Sequence, residues 1–99
     1  MNQPPHIPNA DNFLRLAVWS LFSLQVKLQE AITIISQNQV QPLLMQSLDL
    51  ANTVFIETRR IENMIPRIIT LSEEQKLALR GMIQETYVVI TLLIDSRVH

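Results

Sequence analysis

Residues 13–35 read FLRLAVWSLFSLQVKLQEAITII, and this stretch decides the fold. Leu14, Ala17, Leu21, Leu24, Leu28, Ala31 and Ile35 recur in alternating steps of three and four. An α-helix turns once every 3.6 residues, so this spacing keeps one face apolar, as in a bundle or coiled-coil seam. Val18, Trp19, Phe22, Ile32 and Ile34 lie beside the seam and widen the apolar face beyond a strict two-position stripe. A wide face touches two neighbours rather than one, which predicts a bundle.

Working outward, Asn9, Asp11 and Asn12 are all good caps for the start of this helix. The helix should run over 11–37. Upstream, Pro4, Pro5 and Pro8 predict a flexible Pro-rich arm over 1–10, ahead of a single domain over 11–99. Downstream, Ser36-Gln-Asn-Gln-Val-Gln41 breaks the apolar pattern, and Pro42 suits a first helical turn. So short a link makes the first two helices antiparallel neighbours. The second helix is expected over 42–65, with Leu44, Leu48, Ala51, Phe55 and Ile65 as its apolar positions. Leu43, Val54, Thr58 and Ile61 flank them. Pro66 lacks a backbone donor and clashes one turn back, so the helix should stop or kink there.

Arg67-Ile-Ile-Thr-Leu71 reads as a compact apolar link across the end of the bundle. Thr70 with Glu73, or Ser72 with Gln75, has the spacing of a capping box. Glu73 and Glu74 then sit where the helix dipole favours acids. A third helix is expected over 72–96, with Gly81, the chain's one glycine, allowing a close helix contact or a slight bend. Tyr87-Val-Val-Ile-Thr-Leu-Leu-Ile94 is β-branched and apolar on all sides, and alone could be a strand. No turn signal separates it from the helical pattern before it, so it is read as a helix buried all round, a candidate for the centre either of the chain's own core or of a subunit interface. The fold class is therefore all-α: three long antiparallel helices forming a bundle, completed by dimerisation.

Composition supports a partner. The chain has 99 residues, of which 47% are hydrophobic and 17% charged, against about 25% charged in ordinary globular domains. A small domain has much surface to cover and little core. Too few charges to cover it implies a second copy, joined as a symmetric dimer. The formal net charge of -1 provides no basic excess for a phosphate backbone, which disfavours nucleic acid. The opening residues have no positive segment followed by an apolar one, so no secretory signal is expected. The longest span-like stretch, Leu16 to Val26, is eleven residues interrupted by Ser20, Ser23 and Gln25. It is too short to cross a bilayer, which needs about twenty residues. No membrane association is expected, and a cysteine-free chain fits a reducing cytoplasm.

Chemistry is sparse. With no cysteine, and with His6 and His99 as the only histidines, the chain offers no nucleophile–base pair and no helical metal-ligand motif. Glu57 and Glu62 are five apart and do not share a helix face. One glycine cannot build a phosphate loop. No metal or cofactor is expected. Lys27 with Glu30, and Lys76 with Glu73, read as ordinary solvated pairs. Glu57, Arg59, Arg60 and Glu62, with Arg67 beyond, form the densest charged cluster. Arg60 is three residues from Glu57, so a solvated face explains the cluster, while Arg59, Arg60 and Arg67 are the candidates to bind a partner, with Arg59 and Arg60 gripping its carboxylates or a phosphate. Interface candidates are Trp19, Phe22, Tyr87, Val89, Ile90 and Leu93. Trp19 is expected in the core or a self-interface.

The function these observations favour is a non-enzymatic regulatory or adaptor protein acting through protein–protein contacts. One alternative is a small-molecule binding module with a pocket lined by Trp19, Phe22, Phe55 and Tyr87. Another is a DNA-binding regulator, which requires Arg59, Arg60, Arg67 and Arg80 to align on one exposed face across the dimer.

Overall fold

A computed structural model describes residues 10–97. Helix α1 spans Ala10–Gln37, α2 spans Gln41–Met64 and α3 spans Glu73–Ser96, with a 3₁₀ turn at Ile65–Arg67. The three helices pack on one another as an all-helical bundle. Its extents are 55 × 28 × 16 Å and its radius of gyration is 16.2 Å, where a compact chain of this length has about 13 Å. The bundle is long and thin, a shape consistent with completion by further helices. The arm expected over 1–10 lies outside the described residues except for Ala10, which is already helical.

Local signals place the helix ends. Pro42 occupies the first turn of α2, where its missing donor costs nothing. Pro66 ends α2 and tightens the chain into the 3₁₀ turn. Of the two possible capping boxes, Ser72 with Gln75 forms. The Gln75 amide donates to Ser72 Oγ at 3.1 Å, and the Ser72 amide donates to Gln75 Oε1 at 2.9 Å. The link before it behaves as read, with Ile68 and Leu71 buried and the intervening Ile69 exposed.

The α1 seam is the core face. Ala17, Leu21, Leu28 and Ile35 are buried, and Leu14, Leu24 and Ala31 are half-buried. The apolar face is not as wide as expected, however. Ile32 packs against the core, but Val18, Trp19, Phe22 and Ile34 are exposed. The seam of α2 also differs from the expectation. Leu48 and Phe55 are exposed, and the buried positions are Ser47, Ala51, Val54 and Thr58. Leu44, Ser47, Ala51, Val54, Thr58, Ile61 and Ile65 repeat the three–four spacing of α1. Two hydroxyl residues hold core positions there because each bonds back to its own helix. Ser47 Oγ donates to the Leu44 carbonyl at 2.7 Å, and Thr58 Oγ1 donates to the Val54 carbonyl at 2.7 Å. Their polar groups are thereby satisfied without water.

Helix α3 is not buried all round. Val89, Ile90 and Leu93 are buried, while Val88, Leu92 and Ile94 are exposed. The buried three pack in this chain's own core with Leu28, Ile35, Ala51 and Val54. These three therefore face the core of the chain itself.

The core has two apolar clusters. One surrounds Leu21, Ile65, Ile68, Leu79 and Ile83, and the other surrounds Leu28, Ile35, Val54, Ile90 and Leu93. A polar layer lies between them. Thr58 and Thr86 are fully buried, and Gln25 Nε2 donates across the α1–α3 contact to Thr86 Oγ1 at 2.9 Å. Thr86 in turn donates to the Met82 carbonyl at 2.8 Å. Among the described residues no buried side-chain polar atom lacks a partner, so the layer fixes which turn of α1 faces which turn of α3 without an orphaned group. At the far end the C-terminal turn is tied to the α1–α2 link and to the first turn of α2. Arg97 Nε donates to the Leu44 carbonyl at 3.1 Å, and Gln39 Nε2 donates to the Ser96 carbonyl at 3.3 Å.

Gly81 makes no close helix contact. It lies on an exposed face, and a Cβ added there would meet nothing within 4 Å. Its effect is therefore the entropic cost of glycine in a helix. Gly81→Ala is expected to stabilise the protein by up to about 1 kcal/mol, read as a rise in the urea midpoint at unchanged slope. A fall in the midpoint would show that the helix is not regular at that point.

Candidate interaction surface

The seam of α1 leaves the opposite side of the helix free, and that side is also apolar. At 100° per residue, Arg15, Trp19, Phe22, Val26, Gln29 and Thr33 fall on the face turned away from the core. Trp19 is 70% exposed and Phe22 is 63% exposed. Trp19 is therefore not a core residue, and its position leaves it open to a partner. Phe22 lines two adjoining shallow grooves. One also includes Arg15, Val18, Trp19 and, from α3, Met82; the other includes Val26, Gln29, Glu30 and Ile34. Together they make one apolar track along most of α1, edged by Arg15 near one end and Glu30 near the other. The sequence signal for this face was present, since Trp19, Phe22 and Val26 are themselves spaced by three and four.

A second apolar groove runs between α2 and α3. Leu48, Ala51, Phe55, Ile90 and Ile94 line it, with Asp49 and Asn52 at its edge. Phe55 and Tyr87 stack at a tilt with ring centroids 5.7 Å apart. The four aromatics proposed to line one pocket are thus divided, with Trp19 and Phe22 on the α1 track and Phe55 and Tyr87 together elsewhere.

Tyr87 is the interface candidate with a defined polar role. Its ring is half-buried and packs against both core clusters. Its hydroxyl donates to Glu62 Oε1 at 2.7 Å, joining α3 to α2. Burial first, and the hydrogen bond and negative charge of Glu62 next, push the phenol up to about 12, partly opposed by Arg59. Both effects favour the protonated ring that can donate. Tyr87 accordingly serves as a structural tie between helices.

The candidate arginines lie on α2, in the 3₁₀ turn after it and on α3. Arg60 pairs with Glu57 at 3.1 Å on an exposed helix face, a contact worth little in water. Arg59 lies beside the Tyr87–Glu62 pair, and Arg67 sits in the 3₁₀ turn. All three are exposed, as is Arg80. Of the two lysine pairs expected, Lys76 meets Glu73 at 3.5 Å, whereas Lys27 and Glu30 form no ion pair among the described residues. Among the described residues no group of three or more His, Cys, Asp or Glu could hold a metal ion.

Helix α3 is the stretch most like a membrane span, in place of Leu16 to Val26. It is long and apolar enough by length and composition, with a mean hydropathy of 1.5 over its best window, and 33% of that window is buried inside the bundle. A core helix of a bundle passes the same test. No protein-family model, curated protein or solved structure matches the chain. What stands is a small all-helical module without a catalytic constellation among its described residues.

Proposed function

We propose that this chain is a non-enzymatic interaction module, a regulatory or adaptor protein that acts in the cytoplasm through its helical surfaces. The observation that carries this reading is the exposure of Trp19 and Phe22 on a face its own fold leaves uncovered. Large aromatics on a regular, rigid helix are the residues that most often dominate protein–protein binding, and a long apolar track on a small domain marks an interaction site. The α2–α3 groove around Phe55 supports the same reading, because it gives the molecule a second apolar surface. Charged edges at Arg15 and Glu30, with polar Gln29 and Thr33 beside Glu30, suit a protein partner better than a lipid interior. The formal net charge of -1, with no basic excess, supports a protein rather than a nucleic acid.

A photoreactive amino acid placed at Trp19 or at Phe55, in cells that make the protein, tests this. Discrete cross-links to another polypeptide are expected from at least one of the two sites. None is expected from Thr53, a polar exposed position on α2. If neither site captures a polypeptide other than the chain itself, the adaptor reading is lost.

A further inference from the structure

We propose that the outer face of α1 is a self-complementary docking surface for α1 of a second copy, packed antiparallel about a two-fold axis between Phe22 and Ser23. The proposal deepens the interaction reading by naming the occupant of the α1 track, and it rests on that reading only for the premise that the track is covered.

The argument is the order of residues along the face. An antiparallel pair centred between Phe22 and Ser23 sets residue i opposite residue 45 − i of the other copy. Trp19 then lies opposite Val26, apolar against apolar. Arg15 lies opposite Glu30, cation against anion, and the two-fold makes that pair twice. Asn12 faces Thr33, polar against polar. No pair along the face brings like charges together. Parallel packing would instead set Arg15 against Arg15 and Glu30 against Glu30, which repels at both ends. Among the described residues neither Arg15 nor Glu30 takes part in an ion pair within the chain, where the pairs are Arg60–Glu57 and Lys76–Glu73. Both are exposed on the rim of the track. The charges therefore select a direction, and the aromatics supply the contact.

An isologous contact of this kind closes on itself, so it yields a dimer and not a filament. It places six helices in one particle with the α1 pair at its centre.

The chain has no cysteine, which makes the register directly testable. Purified Arg15→Cys and Glu30→Cys chains, mixed and mildly oxidised, are expected to give chiefly the mixed disulfide. The Arg15→Cys chain pairs with itself poorly in the antiparallel arrangement, since its two thiols stand about 22 Å apart along the helix, well beyond the reach of a disulfide. Light scattering of the unmodified chain is expected to give twice 11.4 kDa at micromolar concentration. Trp19→Asp should weaken that dimer about tenfold or more while leaving the helical circular dichroism unchanged. A monomer at about 50 μM, self-pairing of the Arg15→Cys chain in preference to the mixed product, or a Trp19→Asp chain that dimerises undiminished would each overturn the proposal. A monomer that still cross-links another polypeptide from Trp19 or Phe55 would remove the second copy alone and leave the interaction reading standing.

Discussion

Leu93→Asp is expected to abolish the cooperative thermal transition, while Leu92→Asp should melt close to the parent. The two leucines are adjacent in α3 and identical in chemistry, but Leu93 is 0% exposed and Leu92 is 49% exposed. Leu93 packs with Leu28, Ile35, Ala51 and Val54, so a carboxylate there would enter an apolar cluster. An unpaired buried charge costs several kcal/mol even after relaxation. A domain of this size has a total stability of about 5–15 kcal/mol, nearer the lower end. Leu92→Asp removes only a half-exposed side chain, a change worth about 0.5–1 kcal/mol. Far-UV circular dichroism melts of the two variants settle it. Equal melting temperatures would mean that α3 is rotated from the position described, and that the Tyr87–Ile94 stretch has no preferred inner side.

The contrast between those neighbours also shows where the sequence was legible. On α1 the core positions are large aliphatics in an unbroken three–four series, so the seam from Leu14 to Ile35 could be read directly. On α2 the same series exists, but Ser47 and Thr58 occupy two of its places. A reading by hydrophobicity passes over them to Leu48 and Phe55, both of which lie outside the core. What makes the hydroxyls acceptable, a bond back to the carbonyl one turn earlier, is invisible in composition. On α3 the difficulty is the reverse. From Tyr87 to Ile94 nearly every residue is apolar, so there is no contrast to reveal the inner side, and only packing separates Val89 and Leu93 from Val88 and Leu92.

The candidate surface was half legible for a related reason. Trp19 and Phe22 stood out by type, but their closeness in sequence to the seam invited placing them inside it. Their spacing from Val26 carries the better information, because it describes a second stripe about half a turn away. A helix with two opposed apolar stripes belongs to two packings, one made within the chain and one left open. Helix ends were the easiest part to read. Pro42, Pro66 and the Ser72–Gln75 box act through backbone donors and fixed dihedrals, which need no tertiary partner.

Truncating one leucine in each core cluster tests whether the polar layer joins them or divides them. Leu21 and Leu28 are both fully buried in α1, one in each cluster, two helical turns apart. Each →Ala change should cost about 2–5 kcal/mol from lost burial and the cavity left behind. Between them Gln25 reaches Thr86 across the helices, and Tyr87 packs against both clusters while its hydroxyl holds Glu62. Three helices cross this layer without a break, so a failure at either end should propagate through it. Both variants are therefore expected to show one transition, shifted downward, with circular dichroism and tyrosine absorbance melting together. If Leu21→Ala instead melts in two steps, with the Leu28 end persisting after the first, the layer is a boundary. The ties at Arg97 and Gln39 would then be holding that end as a separate unit. The single transition is the expectation because neither cluster is large enough to stand alone. Each draws residues from α1 and α3, and each would lose roughly half the apolar burial on which so small a domain depends.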